Sequence, residues 1–332
     1  MLRSFCAPFP RSFSRVAPAN PKMQETIISG AGKRLMPGDV VEVRSAAEIF
    51  ATLDAHGTRD KLPFMPEMIK FCGKQFRVAA QAFKTCVDDG EMRQFNDTVF
   101  LEEVRCDGSS HANCDRGCLV FWKTAWLKRA GTSSNGHGKS ARLTETDVAR
   151  LAIRDGQFFC QSSEILNASK PLRWWEPKQY LWDLKYNRVP LSLAAKSFLI
   201  AIYNKVAARL RNQSWRAVTG SATNGNGFKP LNLRPGEVVR VKPLDEIRAT
   251  LDAEGKNQKM LFAPAMADYC GQVMKVRDRV ENIVLEATTR QRKIKDTVVL
   301  EGAVCDGVCH RLCPRKSLLF WRECWLERVN GS

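Results

Sequence analysis

The chain has 332 residues, 44% of them apolar, and a formal net charge of +17. That length suggests two or three domains with a normal globular supply of core residues. No apolar run approaches the eighteen or so residues of a membrane span, so no transmembrane segment is expected.

Residues 1–36 carry six basic side chains and one acidic one. They read as a flexible basic tail, or as a weak organellar transit peptide, and lack the apolar core of a secretory leader. Twelve cysteines in such a chain argue for reduced thiols in a cytoplasmic setting rather than a disulfide framework.

From residue 37 the chain writes one pattern twice. PGDVVEVRSAAEIFATLDAHG (37–57) matches PGEVVRVKPLDEIRATLDAEG (235–255). The match runs on through Cys72-Gly73 and Cys270-Gly271 to the endings Phe121-Trp122-x3-Trp126-Leu127 and Phe320-Trp321-x3-Trp325-Leu326. This is an internal duplication and not a solenoid. Pro-Gly followed by alternating valines (Val41, Val43; Val239, Val241) is a turn feeding a strand. Ser45-x-x-Glu48 is a capping box for a short helix through Leu53, ended by Gly57. Phe76–Phe83, Val99–Val104, Met274–Val280 and Val298–Val304 read as further strands. The expected fold class is α+β: two tandem β-rich, SH3-like barrel modules over 37–130 and 231–332, joined by a helical basic connector over 131–230. Each closing tryptophan pair, spaced i, i+4, would share a helical face and pack in a core.

Both copies carry cysteine, cysteine, histidine and cysteine at matched positions: Cys72, Cys106, His111 and Cys114 in the first, Cys270, Cys305, His310 and Cys313 in the second. Two of the chain's four histidines fall at this one repeat position. Thiolate and imidazole at such spacing suit a four-ligand structural zinc site that would stabilise a small module. Cys118 and Cys309 lie close enough to replace a ligand. An iron–sulfur cluster is the competing cofactor: Cys106-Asp107-Gly108-Ser109-Ser110-His111 resembles the signature of the CDGSH iron–sulfur proteins. It has one residue more before the histidine and lacks their upstream Cys-x-Cys.

The connector holds the charge, with seventeen basic and six acidic residues over 128–230. A polyanion would meet it first. It opens with GTSSNGHGKS (131–140), whose near match to a P-loop lacks the first glycine and reads as a flexible linker. SLAAKSFLIAIYNKVAARLRNQSW (192–215) is a strong helix candidate with only basic charges. It is expected to pack on the protein, with membrane-surface contact through 192–211 as another use.

PGDVVEVRSAAEI, CDGSSHANCDRGCLVFWKTAWLKR, PLRWWEPKQYLWDL and FWRECWLERV together resemble an uncharacterised bacterial protein family. The resemblance implies this architecture and a bacterial cytoplasmic setting, and no activity. No catalytic constellation stands out. The functional expectation is a binding or scaffold protein with duplicated metal sites, engaging nucleic acid, another polyanion or a protein partner. A redox protein or metal-dependent enzyme and a membrane-surface protein are the alternatives.

Overall fold

A computed structural model describes residues 34–88, 90–131, 144–150, 153–154, 157–210, 213–223, 228–286 and 288–329. Most of the basic tail, the linker 132–140 and Cys6 lie outside the described residues. Leu35–Ser332 forms one compact unit.

Two five-stranded antiparallel sheets follow one another in the chain, each curled into a half-barrel. The first has the spatial order Leu119–Lys123, Thr98–Arg105, Gln75–Gln81, Val40–Val43, Leu127–Arg129. The second runs Leu318–Arg322, Thr297–Val304, Val273–Arg279, Val238–Val241, Leu326–Arg328. Register shifts occur between Val78 and Ala80 in one sheet and between Val276 and Asp278 in the other. Such irregularities bend a strand and increase its twist, which lets each sheet curl. The alternating valines behave as strand chemistry dictates: Val41 and Val43 are fully buried while Val40 is exposed, and Val239, Val241 and Val238 repeat this.

Ser45 caps Ala46–Phe50 with both halves of the capping box, as its spacing predicts, although the α-helix stops before Leu53. The tryptophan pairs are core residues on a different element from the one expected. Trp122 and Trp321 lie on strands, and Trp126 and Trp325 close short 3-10 turns. Phe64 meets Trp122 and Trp126 edge-on with centroids 6.4 and 5.4 Å away. The spacing i, i+4 arises here from a strand end followed by a tight turn, not from one helical face.

The connector supplies the helices Lys178–Tyr186 and Leu191–Arg209. The longer packs through Ala194 and Ile200 onto Val308 and Leu312, and the Ser197 hydroxyl donates to Val308 O at 2.9 Å. It is long and apolar enough by length and composition to cross a membrane, a test that core helices also pass. Lys84 and Asp183 form a fully buried ion pair between the strand Lys84–Cys86 of a separate three-stranded sheet and the helix Lys178–Tyr186, and Lys84 also donates to Arg311 O.

The two halves grip each other reciprocally. Cys114 Sγ accepts from Val284 N–H at 3.3 Å, and Cys313 Sγ accepts from Cys86 N–H at 3.2 Å. Arg116 donates to Val284 O at 3.1 Å, and Arg315 donates to Cys86 O at 3.2 Å. The Asp88 and Glu286 backbone amides each donate to the other's carboxylate at 3.1 Å. Arg116 pairs with Asp88, and Arg315 with Glu286, the latter almost wholly out of water. The same patch on both halves meets itself, as in an isologous dimer interface.

Candidate metal centre

Two tight turns set the geometry of the cysteine–histidine loops. Gly108 and Gly307 adopt φ of 71° and 75°, where a Cβ is strained. A Cβ there would stand 2.2 Å from Cys114 O and Cys313 O respectively. The Gly108 carbonyl accepts from two loop amides, His111 and Cys114 at 3.0 and 3.4 Å, and the Gly307 carbonyl from three, His310, Leu312 and Cys313 at 2.9, 2.9 and 3.3 Å. The glycine of Cys-Asp-Gly is therefore a folding requirement of the turn, met alike in both copies.

In the first copy the turn aims His111 and Cys106 at Glu67. Pro66 opens a 3-10 helix that ends at Phe71, placing Glu67 in its first turn with its side chain 1% exposed. Glu67 Oε1 lies 2.9 Å from His111 Nδ1, 3.2 Å from Ser110 N and 3.9 Å from Cys106 Sγ. Cys106 Sγ is 3.5 Å from His111 Nε2. Glu67 Oε2 is buried without a hydrogen-bond partner. Glu67, Cys106 and His111 could hold a metal ion, and they are the group of that kind among the described residues.

Electrostatics separate the chemical uses of this cluster. Burial pushes the Cys106 thiol far up, reinforced by Glu67. Burial also opposes the charged form of Glu67, but the His111 and Ser110 contacts outweigh it and hold the carboxyl below its ordinary value. A Cys–His–carboxylate line can serve nucleophilic catalysis when the thiol is easily ionised. Here the adjoining cavity is only about 20 Å³, lined by Cys106, His111, Cys114, Cys118 and Cys160 among others. That holds about one water or one ion, and it does not admit a substrate.

The other expected ligands are placed differently. Cys114 borders the same cavity while its sulfur accepts from Val284 across the module boundary. Cys118 also borders the cavity and meets Ser162 Oγ at 3.3 Å. Cys72 caps the end of the 3-10 helix, half-buried, outside the three-residue group, with burial raising its thiol to about 11. Cys270 takes the matching cap, and Cys313 is engaged by Cys86. Among the described residues, Cys270, Cys305, His310 and Cys313 do not form such a group. Ala265 stands where the first copy has Glu67, and His310 with Cys309 borders an open groove instead.

Glu67 is the residue that the sequence pattern misses. Its signal, an acid directly after the proline that starts a short helix, is visible only if one copy is read without asking the other to agree. Comparison with protein-family models, with curated proteins and with solved structures finds no match.

Proposed function

We propose that this chain is a binding or scaffold protein whose first SH3-like module is clamped by zinc, and which engages a polyanion, with nucleic acid foremost, through its basic connector. The observation that carries the metal assignment is the orphaned, buried Glu67 Oε2 beside Cys106 and His111. An unpaired buried carboxylate oxygen is costly, and a cation satisfies it. Tetrahedral zinc with Zn–S of about 2.3 Å and Zn–N of about 2.0 Å spans an S···N edge of about 3.5 Å. The separation between Cys106 Sγ and His111 Nε2 is 3.5 Å. Glu67 would then either ligate directly or fix the imidazole through Nδ1–H, as carboxylates do behind metal-bound histidines. One thiolate with an imidazole and a carboxylate favours zinc over an iron–sulfur cluster, whose irons are held mainly by thiolates. A cavity with room for about one ion favours a structural role over an enzymatic one. Resemblance to the uncharacterised bacterial family and the free state of the described cysteines support a reducing, cytoplasmic setting.

The polyanion reading rests on the concentration of cations between the modules. Its test is binding of the full chain to single-stranded RNA at several salt concentrations. Affinity should fall steeply and log-linearly with salt; no binding at low salt overturns this part.

A second reading, contact with an anionic membrane surface, is favoured by one feature of the long helix. Leu199, Tyr203, Val206 and Leu210 follow one another at helical spacing, and each is exposed, Leu199 at 63% and Leu210 at 72%. Lys196, Lys205 and Arg209 flank this stripe. Flotation with anionic vesicles that Leu199→Asp abolishes would support it, and unchanged flotation would remove it. Leu199 is a cleaner probe than Phe198, whose ring packs edge-on against Tyr180.

A further inference from the structure

The second copy's loop, without a partner for Glu67, opens onto a groove of about 420 Å³. Four parts of the fold build its walls, residues 90–92 being one. The loop gives Cys309, His310 and Arg311; the segment before Lys178–Tyr186 gives Arg173, Trp174 and Trp175; the long helix gives Asn204 and Lys205 between the small Ala201 and Ala208. Such a volume lies within the range of small-ligand sites, about 300–1,000 Å³.

The aromatic wall is exposed yet held in place. Gln179, 2% exposed, donates from Nε2 to Arg173 O at 2.7 Å and to Glu176 O at 3.1 Å. Tyr180 OH donates to Trp174 O at 3.0 Å, and Arg311 Nη1 donates to Leu172 O at 3.1 Å. The turn is thus fixed on both sides, while the Trp175 ring remains 55% exposed. Trp174 stands edge-on to it at 5.8 Å, and the Arg173 guanidinium lies 5.5 Å from its centroid. An ordered indole with an open face is a preorganised stacking surface.

Three cations, Arg173, Lys205 and Arg311, border the same groove, with Glu91 as the acid on its rim. Among the described residues none of these three cations forms an ion pair with a carboxylate. Arg311 is partly withdrawn from water by the fold, and its hydrogen bonds go to neutral oxygens. A flat π-face next to unpaired guanidinium and ammonium groups matches a ligand with an aromatic ring joined to a phosphate. His310 and Asn204 add polar edges that can read a base or a sugar hydroxyl.

We propose that this groove binds a nucleotide unit, its base stacked on Trp175 and its phosphate between Arg173, Lys205 and Arg311. The inference deepens the polyanion reading and rests on it, giving the connector's charge a defined seat. The duplication then has a division of labour: one copy keeps its histidine closed against Glu67, and the other turns the matching histidine toward a ligand.

The test is calorimetric titration of the full chain with UMP, AMP, uridine, inorganic phosphate and a five-nucleotide single-stranded RNA. The nucleotides should bind at least tenfold more tightly than either uridine or phosphate. Trp175→Ala should weaken them by about five- to a hundredfold, the range of one lost base–aromatic stack. Lys205→Ala should weaken them at least threefold, with both variants keeping the parent's circular dichroism. RNA binding more than tenfold tighter than UMP identifies a strand as the source of the nucleotide, and equal affinities identify the free nucleotide. Phosphate binding as tightly as UMP, or Trp175→Ala without effect, overturns the groove assignment. RNA binding that Trp175→Ala leaves intact, with no heat from UMP, overturns the groove while the connector's general polyanion role stands. No binding of any probe at low salt removes both.

Discussion

Glu67 meets His111 at 2.9 Å, carboxylate oxygen to Nδ1, and its other oxygen is buried without a hydrogen-bond partner. That contact points Nε2 toward Cys106 Sγ and makes the first copy's loop a donor set instead of a packing element. A carboxylate behind a metal-bound histidine typically carries ten- to a hundredfold in metal affinity, and a direct ligand carries more. Glu67→Gln is therefore expected to lower zinc affinity at least tenfold, measured by competition with a chromogenic chelator. Unchanged affinity would remove Glu67 from the site.

The turn glycines give a sharper structural prediction. Gly108→Ala places a Cβ against Cys114 O and forces a left-handed backbone on alanine, costing about 3 kcal/mol or more. Gly73 has a similar φ of 74°, with nothing within 4 Å of where a Cβ would stand. Gly73→Ala should cost only about 1–2 kcal/mol. Urea unfolding of both variants checks the difference, and equal losses would contradict the close approach at Gly108.

Arg315 ties the halves together from a side chain only 4% exposed, pairing with Glu286 and donating to Cys86 O. Removing Arg315 takes away the nearer of the two guanidinium groups that face buried Glu286, leaving Arg116 at 3.5 Å. Arg315→Met is expected to cost about 2–4 kcal/mol, somewhat less than a buried charge left with no partner. The Arg315→Met, Glu286→Leu double variant should recover much of that loss, and chemical denaturation of the four-member cycle measures it. Strict additivity would show that the two side chains do not act together.

Acid should weaken the fold in a definite direction. Burial opposes ionisation of Glu67, Asp88 and Asp107, yet their partners prevail. His111 and Ser110 lower Glu67, Arg116 lowers Asp88, and Lys70 with Ser109 brings Asp107 down to about 2. Their unfolded values are about 3.9–4.3, so the native state binds fewer protons than the unfolded chain. Their contribution is fully present above about pH 5 and is lost as pH falls toward 2. The urea midpoint should drop between about pH 6 and about pH 3, and a constant midpoint would contradict these pairings.

Local order was legible in the sequence where chemistry is local. The valine alternation at Val41 and Val43, the Ser45–Glu48 box and the strands around Val99 and Val298 all follow from patterns a few residues long. The tryptophan pairs were legible as core but not as strand plus turn, because i, i+4 spacing alone does not separate a helix from a strand end. Glu67 escaped because matching the copies against each other retains what both share, and the second copy has Ala265. The reciprocal contacts of Cys114 with Val284 and of Cys313 with Cys86 join residues far apart in the chain, and no local pattern encodes them. For the same reason, matched cysteines that look alike as ligands divide between a candidate metal site and an interface.

The metal centre is tested by metal content of the untagged, as-purified full chain, with its visible spectrum, alongside Cys106→Ser, His111→Ala and His310→Ala. The expected result is about one zinc per chain with no visible bands, lost in Cys106→Ser and His111→Ala and retained in His310→Ala. Iron with acid-labile sulfide, or zinc content that Cys106→Ser leaves unchanged, would contradict the metal centre at Glu67, Cys106 and His111.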